Sequence, residues 1–96
     1  MKTVCVAGLW HLGLVSAAGL AELGYDVVGV DPDARLIADL ARGRFPVFEP
    51  GLAELIKAGL AAGKLRFENN LASAVSRAET VLVAYDTPVD DNDDVD

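Results

Sequence analysis

The sequence VCVAGLWHLG at residues 4–13 joins a β-branched, strand-like run to a turn bounded by glycines. The run begins at Lys2, and residues 2–7 have the composition of a strand buried on both faces. A segment rich in Leu and Ala follows at residues 12–23, and Gly24 is placed to end it as a helix. A strand, a glycine turn and a helix in this order predict the first unit of a parallel α/β sheet.

Strand-like and helix-like segments keep alternating along the rest of the chain. The further strands are predicted at residues 26–30, 65–68 and 80–85. The further helices are predicted at residues 33–42, after Pro50 with Leu52, Leu55, Ile56 and Leu60 on one face, and from an Asn70 cap through Arg77. Because crossovers between parallel strands are right-handed, we predict a Rossmann-like, doubly wound parallel sheet in the order 3-2-1-4 with helices on both faces.

Length and composition restrict the class of protein. Ninety-six residues, 52% of them hydrophobic and 24% charged, are enough for one folded domain. No apolar run approaches the roughly 20 residues that span a bilayer, and the N-terminus is too short and glycine-broken for a signal peptide. The single cysteine cannot form an intramolecular disulfide. We therefore expect a soluble, cytoplasmic protein that does not bind membranes.

The net charge of −7 is concentrated near the C-terminus. Residues 86–96 hold six aspartates and no basic residue, whereas residues 1–85 hold eight Lys and Arg against nine Asp and Glu. We predict that residues 1–88 are the N-terminal part of a dinucleotide-binding domain and that residues 89–96 are a flexible acidic tail. The chain has no basic stripe for nucleic acid, no His and Cys cluster for a metal, and no calcium-loop pattern in the tail.

The turn at residues 8–13 carries two of the three glycines of the dinucleotide fingerprint G-x-G-x-x-G. Gly8 and Gly13 occupy the outer positions, and Trp10 occupies the middle one. Asp31 ends the second strand, 18 residues beyond Gly13, where a carboxylate can accept hydrogen bonds from an adenosine ribose. The turn and the acid together predict a nucleotide site, although glycines that only permit a tight turn are the alternative.

The start of the first helix gives a second indication of an anion site. No Ser, Thr, Asp or Asn lies between Gly8 and Gly13 to cap its backbone N–H groups, whereas Glu49-Pro50 and Asn70 stand near the starts of the third and fourth helices. A helix start without a capping side chain is suited to a pyrophosphate, because its N–H groups and its dipole both attract anions.

Two reactive side chains need separate interpretation. His11 lies beside the predicted phosphates and can donate a hydrogen bond to the cofactor, but a simple loop residue is an equal alternative. Cys5 lies inside the first strand, where we expect a small buried hydrophobe rather than a reactive thiol. We therefore predict no catalytic residue in this chain.

Several segments resemble the N-terminus of the UDP-glucose/GDP-mannose dehydrogenase family. They are residues 4–31, FPVFEPGL at residues 45–52, GKLRF at residues 63–67 and the Thr-Pro pair at residues 87–88. The EPGL element is the most specific, because ordinary dinucleotide folds lack it at this place. The resemblance implies a cytoplasmic, homo-oligomeric oxidoreductase of polysaccharide biosynthesis, which uses two NAD to oxidise the C6 alcohol of a UDP- or GDP-sugar to the uronate.

The resemblance also implies which residues contact NAD. Gly8 and Gly13 match the family's phosphate loop, Asp31 its ribose acid, and Thr87 the threonine of a Gly-Thr-Pro turn near the cofactor. The predicted cofactor-binding set is Gly8, Trp10, His11, Leu12, Gly13, Asp31, Arg35 and Thr87.

The sequence departs from the family pattern at several of these positions. Trp10 replaces the middle glycine, and His11 replaces the usual tyrosine. Asp86 replaces the glycine of the Gly-Thr-Pro turn. The basic residue expected five positions after the ribose acid is Leu36, with Arg35 one place earlier.

The family's catalytic cysteine, lysine and sugar-binding segments correspond to positions beyond residue 96. The resemblance therefore implies that this chain alone is inactive and that the nucleotide sugar is bound mainly by other segments. The alternative is a stand-alone nucleotide-binding or regulatory module without catalysis. The reading frame beyond residue 96 distinguishes them, since several hundred further residues with a cysteine nucleophile favour the enzyme and a stop codon favours the module.

Overall fold

The computed structural model of the protein describes residues 2–45 and 50–84. The strands in these residues are β1 (Thr3–Ala7), β2 (Asp26–Val30), β3 (Leu65–Glu68) and β4 (Thr80–Val83). The helices are α1 (His11–Glu22), α2 (Ala34–Ala41), α3 (Leu52–Ala61) and α4 (Leu71–Ser76). None of the helices in this part of the chain is long and apolar enough to cross a membrane.

The four strands form one parallel sheet in the order β3-β2-β1-β4. Val4 of β1 pairs with Val27 of β2 on one side and with Thr80 of β4 on the other. The chain moves outward from β1 to β3 and then crosses back to β4, so right-handed crossovers put α4 on the opposite face from α1, α2 and α3. The predicted doubly wound fold and its strand order are confirmed.

Alternate residues of β1 and β2 supply two separate cores, as the period of a strand requires. Val4, Val6 and Val27 pack in a cluster with buried residues of α1, α2 and α3. Cys5 and Val28 pack on the other face with Ala74 of α4. Burying a Val or Leu side chain contributes about 1.5–3 kcal/mol, so the apolar runs of the two central strands account for much of the stability.

Several predicted element ends move by one residue, and Ala84 lies outside β4, which was predicted to extend to residue 85. Lys2 lies outside β1, and the first helix begins at His11 rather than Leu12. Leu23 is the exposed C-cap of α1, and Gly24 follows it with a φ of 101°, a conformation that favours glycine. Asp33 lies just before α2 and caps it, since its Oδ1 accepts from the N–H groups of the first turn.

The third helix follows Pro50, as predicted, but its predicted buried face is wrong at one position. α3 begins at Leu52 after its N-cap residue Gly51, which has a φ of 84°. Leu55 is 37% exposed and does not belong to the buried face, because the buried positions of α3 are Leu52, Ile56 and Gly59. Residues 46–49, with the proposed contribution of Glu49 to capping, lie outside the described residues.

Strand β4 forms an edge of the described sheet and is exposed along its length. Val81, Leu82 and Val83 are exposed apolar residues, and Val83 is 68% exposed. Successive side chains of a strand point to opposite faces of the sheet, which places Val81 and Val83 on the α4 face and Leu82 on the α1 face. Apolar surface therefore flanks the edge on both sides.

We expect the 96-residue chain to self-associate through this edge, because an unprotected apolar edge strand pairs readily with another strand. Sedimentation velocity should give a sedimentation coefficient that rises with protein concentration. Leu82→Lys should suppress the rise, whereas Leu55→Lys, a change at a similarly exposed leucine on α3, should not. A wild-type monomer at every concentration would contradict the prediction.

Candidate functional site

The candidate site lies at the carboxyl edge of the parallel sheet, where β1, β2 and β4 end. Gly8 follows β1, Asp31 follows β2, and Ala84 follows β4. The Gly8 N–H donates to the Val30 carbonyl at 2.8 Å, and the Ala84 N–H donates to the Ala7 carbonyl at 2.7 Å. The strand order reverses between β1 and β4, and ligands of open α/β sheets bind in the crevice at such a switch point.

The two glycines of the turn have different physical roles. Gly8 has a φ of 98°, in the left-handed region that favours glycine. Gly13 lies in α1, where an added Cβ would lie only 1.6 Å from the Gly8 carbonyl oxygen. Glycine at position 13 therefore allows the start of α1 to pack directly on the end of β1.

Trp10 occupies the middle position of the fingerprint and is the N-cap of α1. Its φ of −87° and ψ of −153° are accessible to any residue, so the backbone here does not need glycine. The residue is 52% exposed, and its own side chain makes no capping hydrogen bond to α1. Gly51, the N-cap residue of α3, likewise makes no side-chain hydrogen bond, so the lack of a capping side chain on the N-cap residue does not single out α1.

The Asp31 carboxylate, which is the predicted ribose acid, lies beside the glycine turn. Its Oδ2 accepts from the Leu9 N–H at 2.9 Å, and its Oδ1 accepts from the Asp33 N–H at 3.0 Å. A carboxylate offers about four acceptor sites, so these two bonds leave capacity for two hydroxyl donors. The arrangement can bind a diol while holding the turn in place.

Leu9 is the residue of the turn that sequence reasoning missed. It is fully buried and packs in the core on the α1 face of the sheet. Two features of the sequence could have identified this residue. Leu9 is an apolar residue inside a glycine turn, and Gly29 is an isolated glycine in the next strand.

The other predicted contacts are more exposed. His11 and Leu12 lie at the start of α1, and Leu12 is 61% exposed. Arg35 is exposed in the first turn of α2, where its N–H donates to the Asp33 Oδ1 at 3.0 Å. Thr87 and Asp86 lie outside the described residues, as does the predicted tail at residues 89–96.

Cys5 is fully buried in β1, as the sequence predicted. Burial raises the pKa of its thiol, the nearby Glu68 carboxylate raises it further, and the Arg77 guanidinium acts in the opposite direction. A buried thiol with a raised pKa is a poor nucleophile. Within residues 2–45 and 50–84, no group of three or more His, Cys, Asp or Glu side chains could hold a metal ion.

A doubly wound parallel sheet with a glycine turn and a carboxylate at its switch point defines a dinucleotide-binding domain of the Rossmann class. Residues 2–96 match the model of the NAD-binding domain of the UDP-glucose/GDP-mannose dehydrogenase family. The chain therefore belongs to that family.

Curated relatives from both branches of the family resemble the chain. It is 40% identical over 85 residues to the UDP-glucose 6-dehydrogenase of Rhizobium meliloti, and the aligned region covers 88% of this chain and 20% of the relative. It is 38% identical over 92 residues to the GDP-mannose 6-dehydrogenase of Pseudomonas syringae pv. tomato, and the aligned region covers 96% of this chain and 21% of the relative. The chain thus spans about a fifth of the length of these relatives.

Solved structures give the same assignment. A UDP-glucose dehydrogenase from Pyrobaculum islandicum has a TM-score of 0.88 and 35% identity, covering 95% of this chain and 21% of that one. The GDP-mannose dehydrogenase of Pseudomonas aeruginosa, solved as a ternary complex, has a TM-score of 0.88 and 31% identity, covering 100% of this chain and 22% of that one. These identities extend the likeness from the fold to the family.

Proposed function

We propose that the chain binds NAD for a cytoplasmic nucleotide-sugar 6-dehydrogenase, which oxidises the C6 alcohol of a UDP- or GDP-sugar to the uronate with two NAD. One observation carries the proposal, namely the 2.9 Å hydrogen bond that joins the Asp31 carboxylate to the glycine turn. It supports the proposal because the acid proposed for the ribose and the turn proposed for the phosphates are joined at the sheet's switch point. The working enzyme is proposed to be a homo-oligomer.

The residues at this edge suit the parts of NAD. The turn at residues 8–13 would receive the pyrophosphate, and Asp31 would accept hydrogen bonds from the adenosine ribose. His11, Leu12, Arg35 and Thr87 are the further contacts that we propose. NAD, when bound, supplies the hydride acceptor.

The contribution of this chain is to bind and orient the cofactor. Cys5 is buried in β1 and cannot serve as a nucleophile, and His11 is the chain's single histidine. The cysteine and lysine that act on the sugar are proposed to lie in other segments of the protein, together with most of the sugar-binding residues. We therefore expect the 96-residue chain to bind NAD without oxidising a nucleotide sugar.

The chain should bind NAD more tightly than NADP, because the Asp31 carboxylate accepts from a 2′-hydroxyl but repels a 2′-phosphate. Asp31→Ala should reduce the preference about tenfold, the value of a hydrogen bond to a charged group. Calorimetric titration with each cofactor checks this. The ratio of the two affinities is the readout, because Asp31→Ala also removes the bond to the turn.

Asp33→Ala is the matched control, since Asp33 caps α2 beside the site through its own carboxylate. It should leave the NAD to NADP ratio unchanged. Tighter binding of NADP than NAD by the wild-type chain would contradict the predicted specificity and point to Arg35 as the deciding residue.

A second candidate function is a stand-alone nucleotide-binding or regulatory module. Trp10 at the middle position of the fingerprint favours it, because bulk there opposes close approach of the pyrophosphate. Sequencing the gene beyond residue 96 separates the two candidates. A long open frame with a cysteine nucleophile supports the dehydrogenase, and an immediate stop codon supports the module.

A further inference from the structure

We infer that Leu9 is a positioning residue that sets the glycine turn before any nucleotide arrives. Its side chain is held against Gly29 of β2, and its backbone N–H is held by Asp31. The effect on NAD rests on the proposed function, whereas the ordering of the turn can be measured without a ligand.

The first anchor is the buried side chain of Leu9. A Cβ added to Gly29 would lie 2.9 Å from Leu9 Cδ2, 3.2 Å from Leu9 Cδ1 and 3.0 Å from Phe67 Cδ1. Gly29 is not one of the positive-φ glycines of the described residues, so space rather than backbone conformation requires a glycine there. Gly29 therefore provides a notch in the sheet that the end of the Leu9 side chain fills.

The second anchor is made by the backbone. The Leu9 N–H donates to Asp31 Oδ2 at 2.9 Å, and the preceding N–H, of Gly8, donates to the Val30 carbonyl at 2.8 Å. The Asp33 N–H fixes the other carboxylate oxygen of Asp31 at 3.0 Å. Two successive N–H groups of the turn are thus tied to the end of β2 and are not directed toward a ligand.

These anchors couple the two halves of the cofactor site. Asp31 is positioned to bind the ribose, and the same carboxylate holds the turn that would receive the pyrophosphate. A change at Asp31 should therefore disturb the turn as well as remove a ribose contact. A Cβ at Gly29 would meet the side chains of Leu9 and Phe67 in the core, so a change there should reach the cofactor through the turn.

Amide hydrogen exchange of the ¹⁵N-labelled 96-residue chain, followed by NMR without ligand, tests the backbone anchor. Asp31→Ala should lower the protection of the Leu9 amide about tenfold or more relative to wild type, because a bond to a charged acceptor is lost. Asp31→Asn keeps an acceptor oxygen and should retain most of the protection. Unchanged protection in Asp31→Ala would overturn this anchor.

Gly29→Ala tests the side-chain anchor, and Gly59→Ala is its matched control. A Cβ at Gly59 of α3 would be similarly crowded, since it would lie 3.1 Å from Leu65 Cβ and 3.3 Å from Ala21 Cβ. Leu65 begins β3 and Ala21 lies near the end of α1, so this contact is at the opposite end of the sheet from the turn. Gly29→Ala should lower the melting temperature, whereas at Gly59 the preference of a helix for alanine opposes the crowding. Gly29→Ala alone should speed Leu9 exchange and weaken NAD binding about fivefold or more, as expected for forced overpacking.

Adding Leu9→Val to Gly29→Ala removes both crowded Cδ atoms and should restore most of the NAD affinity and of the protection at residue 9. Equal effects of Gly29→Ala and Gly59→Ala on exchange, or no recovery in the double variant, would overturn the inference. If the wild-type chain does not bind NAD at all, the proposed function of the chain fails, while the exchange measurements still decide the role of Leu9.

Discussion

Gly13→Ala is expected to lower the free energy of unfolding by about 3 kcal/mol or more, the upper range for forced overpacking. The new Cβ would lie 1.6 Å from the Gly8 carbonyl oxygen and 2.7 Å from the Gly8 carbonyl carbon. Both are backbone atoms, and Gly8 is tied to β2 through its N–H bond to Val30. The clash can therefore be relieved only by moving α1 away from β1, which opens the core.

Gly19→Ala provides the control within the same helix. No atom lies within 4 Å of a Cβ at Gly19, and alanine is favoured over glycine in a helix by about 1 kcal/mol. This variant should be as stable as the wild type or more stable. Urea unfolding followed by circular dichroism measures both variants. Wild-type stability in Gly13→Ala would show that α1 and β1 do not approach as closely as the structure has them.

The sheet was predictable because its signals are local and strong. β2 and β3 have the bounds predicted. β2 is rich in valine, whereas β3 alternates Leu65 and Phe67 with charged residues. Asn70 caps α4 as expected, because its Oδ1 accepts from the Ser73 N–H at 3.0 Å. The strand order followed from the handedness of crossover connections, which is a rule of chain geometry rather than of particular residues.

The buried face of α3 was not predictable by the same means. The helix follows Pro50 as predicted, with Gly51 as an N-cap residue of positive φ between Pro50 and Leu52. Leu55 has a helical spacing to Leu52, yet the buried stripe runs through Leu52, Ile56 and Gly59. Only the packing of α3 against its neighbours decides which of two adjacent stripes is buried.

The candidate site was predicted in its location but not in its internal contacts. The spacing from Gly13 to Asp31 shows that two strands end at one edge of the sheet. It does not show that the Leu9 N–H reaches the carboxylate 22 residues away, because that bond depends on how the turn closes. The match between Leu9 and Gly29 is likewise a tertiary contact, because an isolated glycine in a strand indicates a close approach without naming the residue that approaches.

Trp10 remains the residue that most affects the expected affinity for NAD. A glycine at this position lets the backbone approach the pyrophosphate. The extended backbone of Trp10 needs no glycine, so the substitution changes bulk rather than conformation. Its indole is partly exposed at the start of α1 and must either turn away from the phosphates or occupy their space.

Trp10→Gly should therefore bind NAD more tightly than the wild-type chain. Relief of a forced contact is worth about 1–3 kcal/mol, or roughly 5- to 150-fold in affinity. Glycine is also acceptable as the N-cap of α1, so the fold should persist.

Leu12→Ala is the control, because it removes a similarly exposed apolar side chain from the start of α1 and should not tighten binding. Calorimetric titration compares the three chains, and the unique tryptophan reports binding to wild type and Leu12→Ala by fluorescence. Equal or weaker binding by Trp10→Gly, with its circular dichroism unchanged, would show that the surrounding turn has adapted to the indole.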